Sequence, residues 1–404
     1  MTHVLRAVSF ALMLMLMAAC SALPRTSVPD EVVEDAVVAG LPDIRTWGDD
    51  ANEAITAWMS DRIERERAFM REQGIDPMQL PTASYLAISG GGENGAYSAG
   101  LICGWTQAGD RPEFRVVTGV SAGALVAPFV FAGPEYDRVL REVFTSIRTR
   151  DIVSENTVFS GLLGDSMYNS KPLHKLLEKY IDEKFVAKVA SEYRKGRNLF
   201  IATTNLDCQR PVIWAMGRLA NEGGPEATEL FRDILVASAS IPGVFPPVMI
   251  DVEADGHRYQ EMHVDGGATS QVFLYPPSFD AHKFSQAMNV QRERTVYVIR
   301  NAQLRQAYAP VKRRTLAIAQ RAVSSLIASQ GVGDLYRIYL ECKRDGMQFR
   351  LATIPPTITK ETEEFFETKY MTQLFEDGFA KAKGGYAWVK APPGFEGDTE
   401  ATEK

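Results

Sequence analysis

Two hydrophobic periods alternate along the chain. Residues 85–89, 115–120, 199–204 and 295–300 are short apolar runs bounded by glycine or polar residues, each with the length of a buried strand. Residues 262–265 add a further one. Between them, residues 124–130, 135–148, 172–192 and 229–239 carry helix-compatible patterns. Upstream, Ile55, Trp58, Met59, Ile63, Phe69 and Met70 form one stripe of a helix over 49–73, which Gly74 and Pro77 stop. Residues 311–329 and 360–382 read as helices that close the C-terminal part. Strands alternating with helices predict an α/β fold with a mainly parallel sheet covered on both faces. No internal repeat is visible.

Composition narrows the function classes. The chain has 404 residues, 45% hydrophobic and 24% charged, which fits a folded globular protein. Its formal net charge of −7 argues against a nucleic-acid binder that relies on a broad basic face. Residues 1–19 are set apart. Arg6 precedes an apolar run over 7–19, interrupted only by Ser9. That run is too short to cross a bilayer core of roughly 30 Å and reads as the hydrophobic region of a secretory signal. It ends in Met17-Ala18-Ala19-Cys20, which resembles a bacterial lipobox. The resemblance implies cleavage before Cys20 and acylation of that residue. With Ser21 rather than Asp next, it also implies the periplasmic face of the outer membrane. An ordinary signal peptide followed by a chance cysteine is the plainer alternative. Several acyl chains, at about 0.8 kcal/mol per buried methylene, would anchor the protein stably. Residues 20–48, with Pro24, Pro29 and Pro42, read as a tether. Cys103, Cys208 and Cys342 are then an odd set, expected as buried core thiols.

Three motifs carry candidate chemistry. Gly119-Val120-Ser121-Ala122-Gly123 is a G-x-S-x-G between a strand and a helix, a turn that lifts a serine hydroxyl to a helix N-terminus. A glycine-flanked serine N-cap has the same pattern. Gly90-Gly91-Gly92-Glu93-Asn94-Gly95 also follows a strand. A dinucleotide reading would need an acidic residue at a strand end about twenty residues on, and Asp110 and Glu113 lie in a loop instead. Glycine amides converging on an oxyanion suit the segment better, beside the plain strand-to-helix turn. Val264-Asp265-Gly266-Gly267 supplies an uncrowded carboxylate, as a base for a serine nucleophile or simply as an Asp-Gly turn. No His-Glu-x-x-His or paired-cysteine spacing occurs, so neither a metal nor another cofactor is expected.

In this order and spacing the motifs resemble the patatin-like phospholipase family. The resemblance extends through Ala202 to Leu206 and through Ala237-Ser238-Ala239-Ser240-Ile241-Pro242-Gly243-Val244-Phe245-Pro246-Pro247. It implies a three-layer α/β/α fold. It also implies a Ser–Asp dyad with Ser121 as nucleophile and Asp265 as base, an oxyanion hole of backbone amides within Gly90 to Gly92, and a lipid or phospholipid substrate. Gly95 belongs to the loop, and Gly119 and Gly123 to the nucleophile turn. The domain division that follows is signal 1–19, tether 20–48, N-terminal helical segment 49–83, catalytic domain 84–302 and helical C-terminal extension 303–404. Two positions depart from the family pattern: Ser89 stands where an Asp is usual, and Asn94 where a cation is usual. The backbone donors depend on neither side chain, so the expectation is a lipid acyl hydrolase acting through an acyl-enzyme. The alternative, for which these departures are the evidence, is a catalytically silent lipid-binding lipoprotein of the same fold. His263, two residues before Asp265, could build a Ser–His–Asp arrangement. Residues 159–180 could form a lip that admits acyl chains or an ordinary packed helix. The Lys312-Arg313-Arg314 cluster reads as a solvated helix face. Head group and oligomeric state are not legible.

Overall fold

A computed structural model describes residues 25–395, apart from 51, 147, 153, 156–165, 167, 306–307 and 361–365. The signal segment, Cys20 and Leu162, Leu163 and Met167 of the expected lip lie outside the described residues. The strands of the main sheet are β1 (Val37–Val38), β2 (Arg45–Trp47), β3 (Ala83–Ile88), β4 (Phe114–Val120), β5 (Asn198–Asn205), β6 (Arg210–Ala215), β7 (Val248–Ala254), β8 (His257–Asp265), β9 (Arg294–Arg300) and β10 (Gln348–Thr353). Their order is β1-β7-β8-β5-β4-β3-β9-β10, with β6 and β2 branching from β5. The centre, β5-β4-β3-β9-β10, is parallel. The β7–β8 hairpin, β1, β6 and β2 pair antiparallel beside it.

The principal helices are α1 (Glu53–Glu72), α2 (Gly95–Ala108), α3 (Ala122–Ala132), α4 (Lys171–Tyr180), α5 (Glu183–Arg194), α6 (Gly224–Ser238), α7 (Thr315–Arg344) and α8 (Thr368–Lys383). Strand side chains alternate between two cores, as a period of two requires. Leu86 and Ile88 face the core shared with α2, α3, α6 and α8. Ala87, Val296 and Val298 face the one shared with Leu335, Ile338 and Cys342 of α7. Helices on both faces of a mixed sheet with a parallel centre make the expected three layers.

Several expectations change in detail. The pattern over 172–192 is two helices, because the Asp182 carboxylate caps a second one by accepting from the Phe185 amide at 2.8 Å. Residues 25–48 are not a mere tether: β1 and β2 lie in the sheet, and Arg45 ion-pairs with the buried Glu261 at 2.5 Å. The C-terminal extension is not purely helical, since it adds the parallel edge strand β10. Within it α8 packs backbone to backbone on α2. A Cβ at Gly100 or Gly104 would collide with the carbonyls of Phe375 or Phe379, and one at Gly378 would lie 2.6 Å from the Tyr97 carbonyl.

Candidate active site

The C-terminal ends of the parallel strands gather the three motifs. β4 ends at Val120, and Ser121 follows with φ 54° and ψ −124° before α3 begins. That backbone conformation is costly for a non-glycine residue and marks a sharp strand-to-helix elbow. The flanking glycines make the elbow possible. A Cβ at Gly119 would lie 2.6 Å from the Gly123 carbonyl, and one at Gly123 would lie 2.7 Å from the Ser89 carbonyl. The elbow is braced from α6: the Ser121 amide donates to Ser238 Oγ at 3.0 Å, and Ser238 donates to the Ala202 carbonyl at 2.7 Å.

The Ser121 hydroxyl donates to Asp265 Oδ2 at 2.6 Å, across 144 residues of chain. Asp265 closes β8, where its amide donates to the Ser240 carbonyl at 2.8 Å. Its other oxygen accepts the Gly267 amide at 2.7 Å. Burial pushes the Asp265 carboxyl up to about 6, against the downward pull of its Ser121 and Gly267 hydrogen bonds. A carboxylate so desolvated is a stronger base than one in water.

His263 does not join this pair. Its Nδ1 lies 2.8 Å from Thr203 Oγ1 and its Nε2 lies 2.9 Å from Glu261. Thr203 Oγ1 also accepts from Trp214 Nε1 at 2.8 Å, which leaves the threonine's own hydrogen for His263 Nδ1. Burial lowers the His263 pKa, so the ring is a neutral part of an Arg45–Glu261–His263 network. The Ser–His–Asp expectation therefore fails on geometry.

The glycine loop bends over Ser121. The Gly90 amide donates to the Gln271 carbonyl at 3.0 Å, so it is not an oxyanion donor as expected. The amides of Gly91 and Gly92 make no hydrogen bond among the described residues. Gly91 has φ 156°, and a Cβ there would sit 2.5 Å from the Asn301 carbonyl. Asn301, directly after β9, clamps the loop: it donates to Ser89 through its backbone at 2.8 Å and through Nδ2 at 2.9 Å. Its Oδ1 accepts the Ser98 amide at 3.1 Å. Ser89 in turn donates to the Gly90 carbonyl at 2.7 Å, a bond that an ionised Asp could not make. Asn94 accepts from the Tyr370 hydroxyl at 3.0 Å, and Lys360 pairs with Glu93. Gly95 opens α2, where a Cβ would meet that of Ala122 at 2.8 Å.

These groups line a cavity of about 1470 Å³, which includes Ser121, Asp265, Gly91 and Arg300. A narrower apolar pocket of about 60 Å³ leads off beside Ser121, between Leu125, Phe144, Leu173, Leu176 and Phe245. Arg300, the last residue of β9, is 4% exposed. Its Nη2 donates to the Ala328 carbonyl at 3.2 Å, while its Nε and Nη1 lack a partner among the described residues. Burial lowers its pKa, and the nearby Asp334 opposes that effect. Sequence reasoning missed Arg300, Asn301 and Gln271. Position at a strand's C-terminal end was the one signal for the first two. No group of three or more potential metal-ligating side chains occurs among the described residues.

The chain is 26% identical over 187 residues to an uncharacterized protein of Acanthamoeba polyphaga mimivirus. That match takes in 46% of this chain and 58% of the relative, so the chain spans under two thirds of the relative's length. Among solved structures, VipD from Legionella pneumophila aligns with a TM-score of 0.38 and 12% identity, over 75% of this chain and 67% of that one. Human GIVD cytosolic phospholipase A2 aligns with a TM-score of 0.36 and 12% identity, over 77% and 55%. The profile of the patatin-like phospholipases matches residues 86–276. That stretch starts within β3 and ends beyond the Asp265 turn, so the loop, the elbow and the carboxylate all fall inside it. Over residues 86–276 the chain is thus similar to the patatin-like phospholipases.

Proposed function

We propose that this chain hydrolyses carboxylic esters of lipids. The observation that carries the reading is the 2.6 Å hydrogen bond from Ser121 to the desolvated Asp265, set at a strained elbow beneath the glycine loop. Asp265 takes the Ser121 proton as Oγ attacks the acyl carbonyl carbon. The oxygen that gains the electron pair rests against the Gly91 and Gly92 amides and the N-terminus of α3. Collapse of the tetrahedral species breaks the ester bond, and the leaving alcohol takes the proton from Asp265. Water, deprotonated by the same carboxylate, then releases the acyl chain as a carboxylic acid. The apolar pocket beside Ser121 suits that chain, and the larger cavity suits the rest of a lipid. Arg300 is the cation we assign to an anionic head group, in place of the one missing at Asn94.

The test is labelling with a fluorophosphonate and turnover of a panel of phospholipids, lysophospholipids and neutral esters. Labelling at Ser121 with ester turnover is the expected result. A folded protein that binds lipid, takes no label and turns over nothing would establish the silent lipid-binding reading instead. We further propose that the protein is anchored at Cys20 on the periplasmic face of a bacterial outer membrane. Cys20→Ser should then abolish incorporation of labelled palmitate, and undiminished incorporation would remove the anchor from that residue.

A further inference from the structure

The N-terminal half of α7 stands out in charge and in exposure. From residue 301 to residue 333 the sequence contains no Asp or Glu, yet it carries Arg305, Lys312, Arg313, Arg314 and Arg321. This stretch of five positive charges belongs to a chain whose net charge is −7. Lys312, Arg313 and Arg314 are exposed. The helix that follows does not bury an apolar stripe there. Ile318 is 53% exposed, Val323 55% and Leu326 70%, and Tyr308, just before the helix, is 92% exposed. Only from Leu335 onward does α7 enter the core.

Place and chemistry coincide. Tyr308, Val323, Leu326 and Ile327 also line the cavity that holds Ser121 and Asp265. The apolar segment is therefore the rim of the mouth through which a substrate enters. An uncompensated apolar surface flanked by cations and free of carboxylates is unfavourable in water. It complements a surface with anionic head groups outside and hydrocarbon beneath. No helix among the described residues is long and apolar enough to cross a membrane, so α7 would lie in the interface.

We propose that residues 308–327 are a docking element for an anionic lipid surface, which presents the cavity mouth to lipids within that surface. The cations make the first contact, and Ile318, Val323 and Leu326 enter the boundary between head groups and acyl chains. The proposal rests on the lipid-ester reading for the purpose of the docking, but binding itself requires no turnover.

Flotation of the full chain with vesicles tests it. All variants carry Cys20→Ser, so that acylation does not mask differences. Pure phosphatidylcholine vesicles give the binding due to apolar contacts without anionic lipid, those of the N-terminal apolar segment included. With vesicles of phosphatidylcholine and phosphatidylglycerol, binding should be stronger and should weaken as salt is raised. Each cation near such a surface contributes roughly a fivefold factor, so Lys312→Gln, Arg313→Gln and Arg314→Gln together should lower the partition coefficient about 10²-fold. Turnover of a short, monomeric ester should be unchanged in that triple variant, while turnover of vesicle lipid falls. Ile318→Gln with Leu326→Gln should also weaken binding, and thermal transitions show whether each variant folds. Binding that is indifferent to salt, to phosphatidylglycerol and to the triple substitution would overturn the proposal. So would a dimer that Ile318→Gln with Leu326→Gln dissolves without loss of vesicle binding, which would make a second copy the occupant. Normal docking without hydrolysis of any ester would instead remove the hydrolase reading and leave the docking element standing.

Discussion

Replacing Asp265 with Asn separates catalysis from stability in opposite directions. The wild-type carboxyl is buried, and its pKa rises from the ordinary 3.8 to about 6. At neutral pH the folded protein holds it ionised, at an energetic cost of roughly 3 kcal/mol relative to the unfolded chain. A group raised in the fold stabilises fully below its unfolded pKa, and that stability is lost as pH climbs through the folded value. The window is therefore about pH 4 to 6. Asn removes the ionisation and keeps both contacts: Oδ1 can accept from Gly267, and Nδ2 can donate to Ser121. Asp265→Asn should therefore match wild type near pH 4 and exceed it by about 2–3 kcal/mol at pH 7, a rise in Tm of roughly 2–4 °C for a chain of this size. Loss of the base should meanwhile cut kcat about 10²- to 10⁴-fold. Wild-type kcat/KM should climb with pH and level off above about 6, and the variant should lack that limb. The assays are thermal unfolding from pH 4 to 7 and turnover of a soluble ester over the same range. A stability difference that does not grow between pH 4 and 7 would refute the desolvated carboxylate. A variant retaining a tenth of wild-type kcat would refute Asp265 as the base.

Three further substitutions probe the surroundings. Gly91→Ala drives a Cβ toward the Asn301 carbonyl and should lower kcat by roughly 10²-fold, with slower fluorophosphonate labelling; unchanged labelling of the folded variant would place the oxyanion elsewhere. His263→Ala removes hydrogen bonds to Thr203 and Glu261, and should cost about 2–3 kcal/mol in denaturant unfolding while kcat stays within a few-fold. Inactivation at unchanged stability would restore a triad. Arg300→Gln should raise KM for an anionic phospholipid at least tenfold relative to a neutral ester of the same acyl chain, and an equal effect on both substrates would make Arg300 a structural residue only.

What the sequence discloses tracks how local the determinant is. The central strands β3, β4, β5 and β9 are buried on both faces, so they read as continuous apolar runs. Of the β7–β8 hairpin only the buried end over 262–265 was read as a strand, because the rest carries polar positions such as Glu253, Arg258 and Gln260 that dilute its alternation. Its turn offered a signal that went unused, an Asp-Gly pair: Asp255 and Gly256 both have positive φ, as a two-residue hairpin turn demands. Strands as short as β1 and β2 have no period to detect. The site divides in the same way. Ser121 and Asp265 sit in local motifs set by glycine turns. Gln271, Asn301 and Arg300 act on the loop and cavity through contacts that only the assembled sheet creates.

The packing of α8 on α2 has a consequence for the order in which the protein comes into being. The elbow, the carboxylate and the glycines are all synthesised by residue 267, yet the loop is held by Asn301, and α2, which the loop opens, is seated on Phe375 and Phe379. β3, from which the loop springs, finds one of its two neighbours only when residues 294–300 arrive. A ribosome-bound chain can therefore carry every residue of the dyad without having the site. The support of the amides facing Ser121 is completed only by α8, the last helix to emerge among the described residues, so the glycine loop gains its full backing only when the chain is nearly finished.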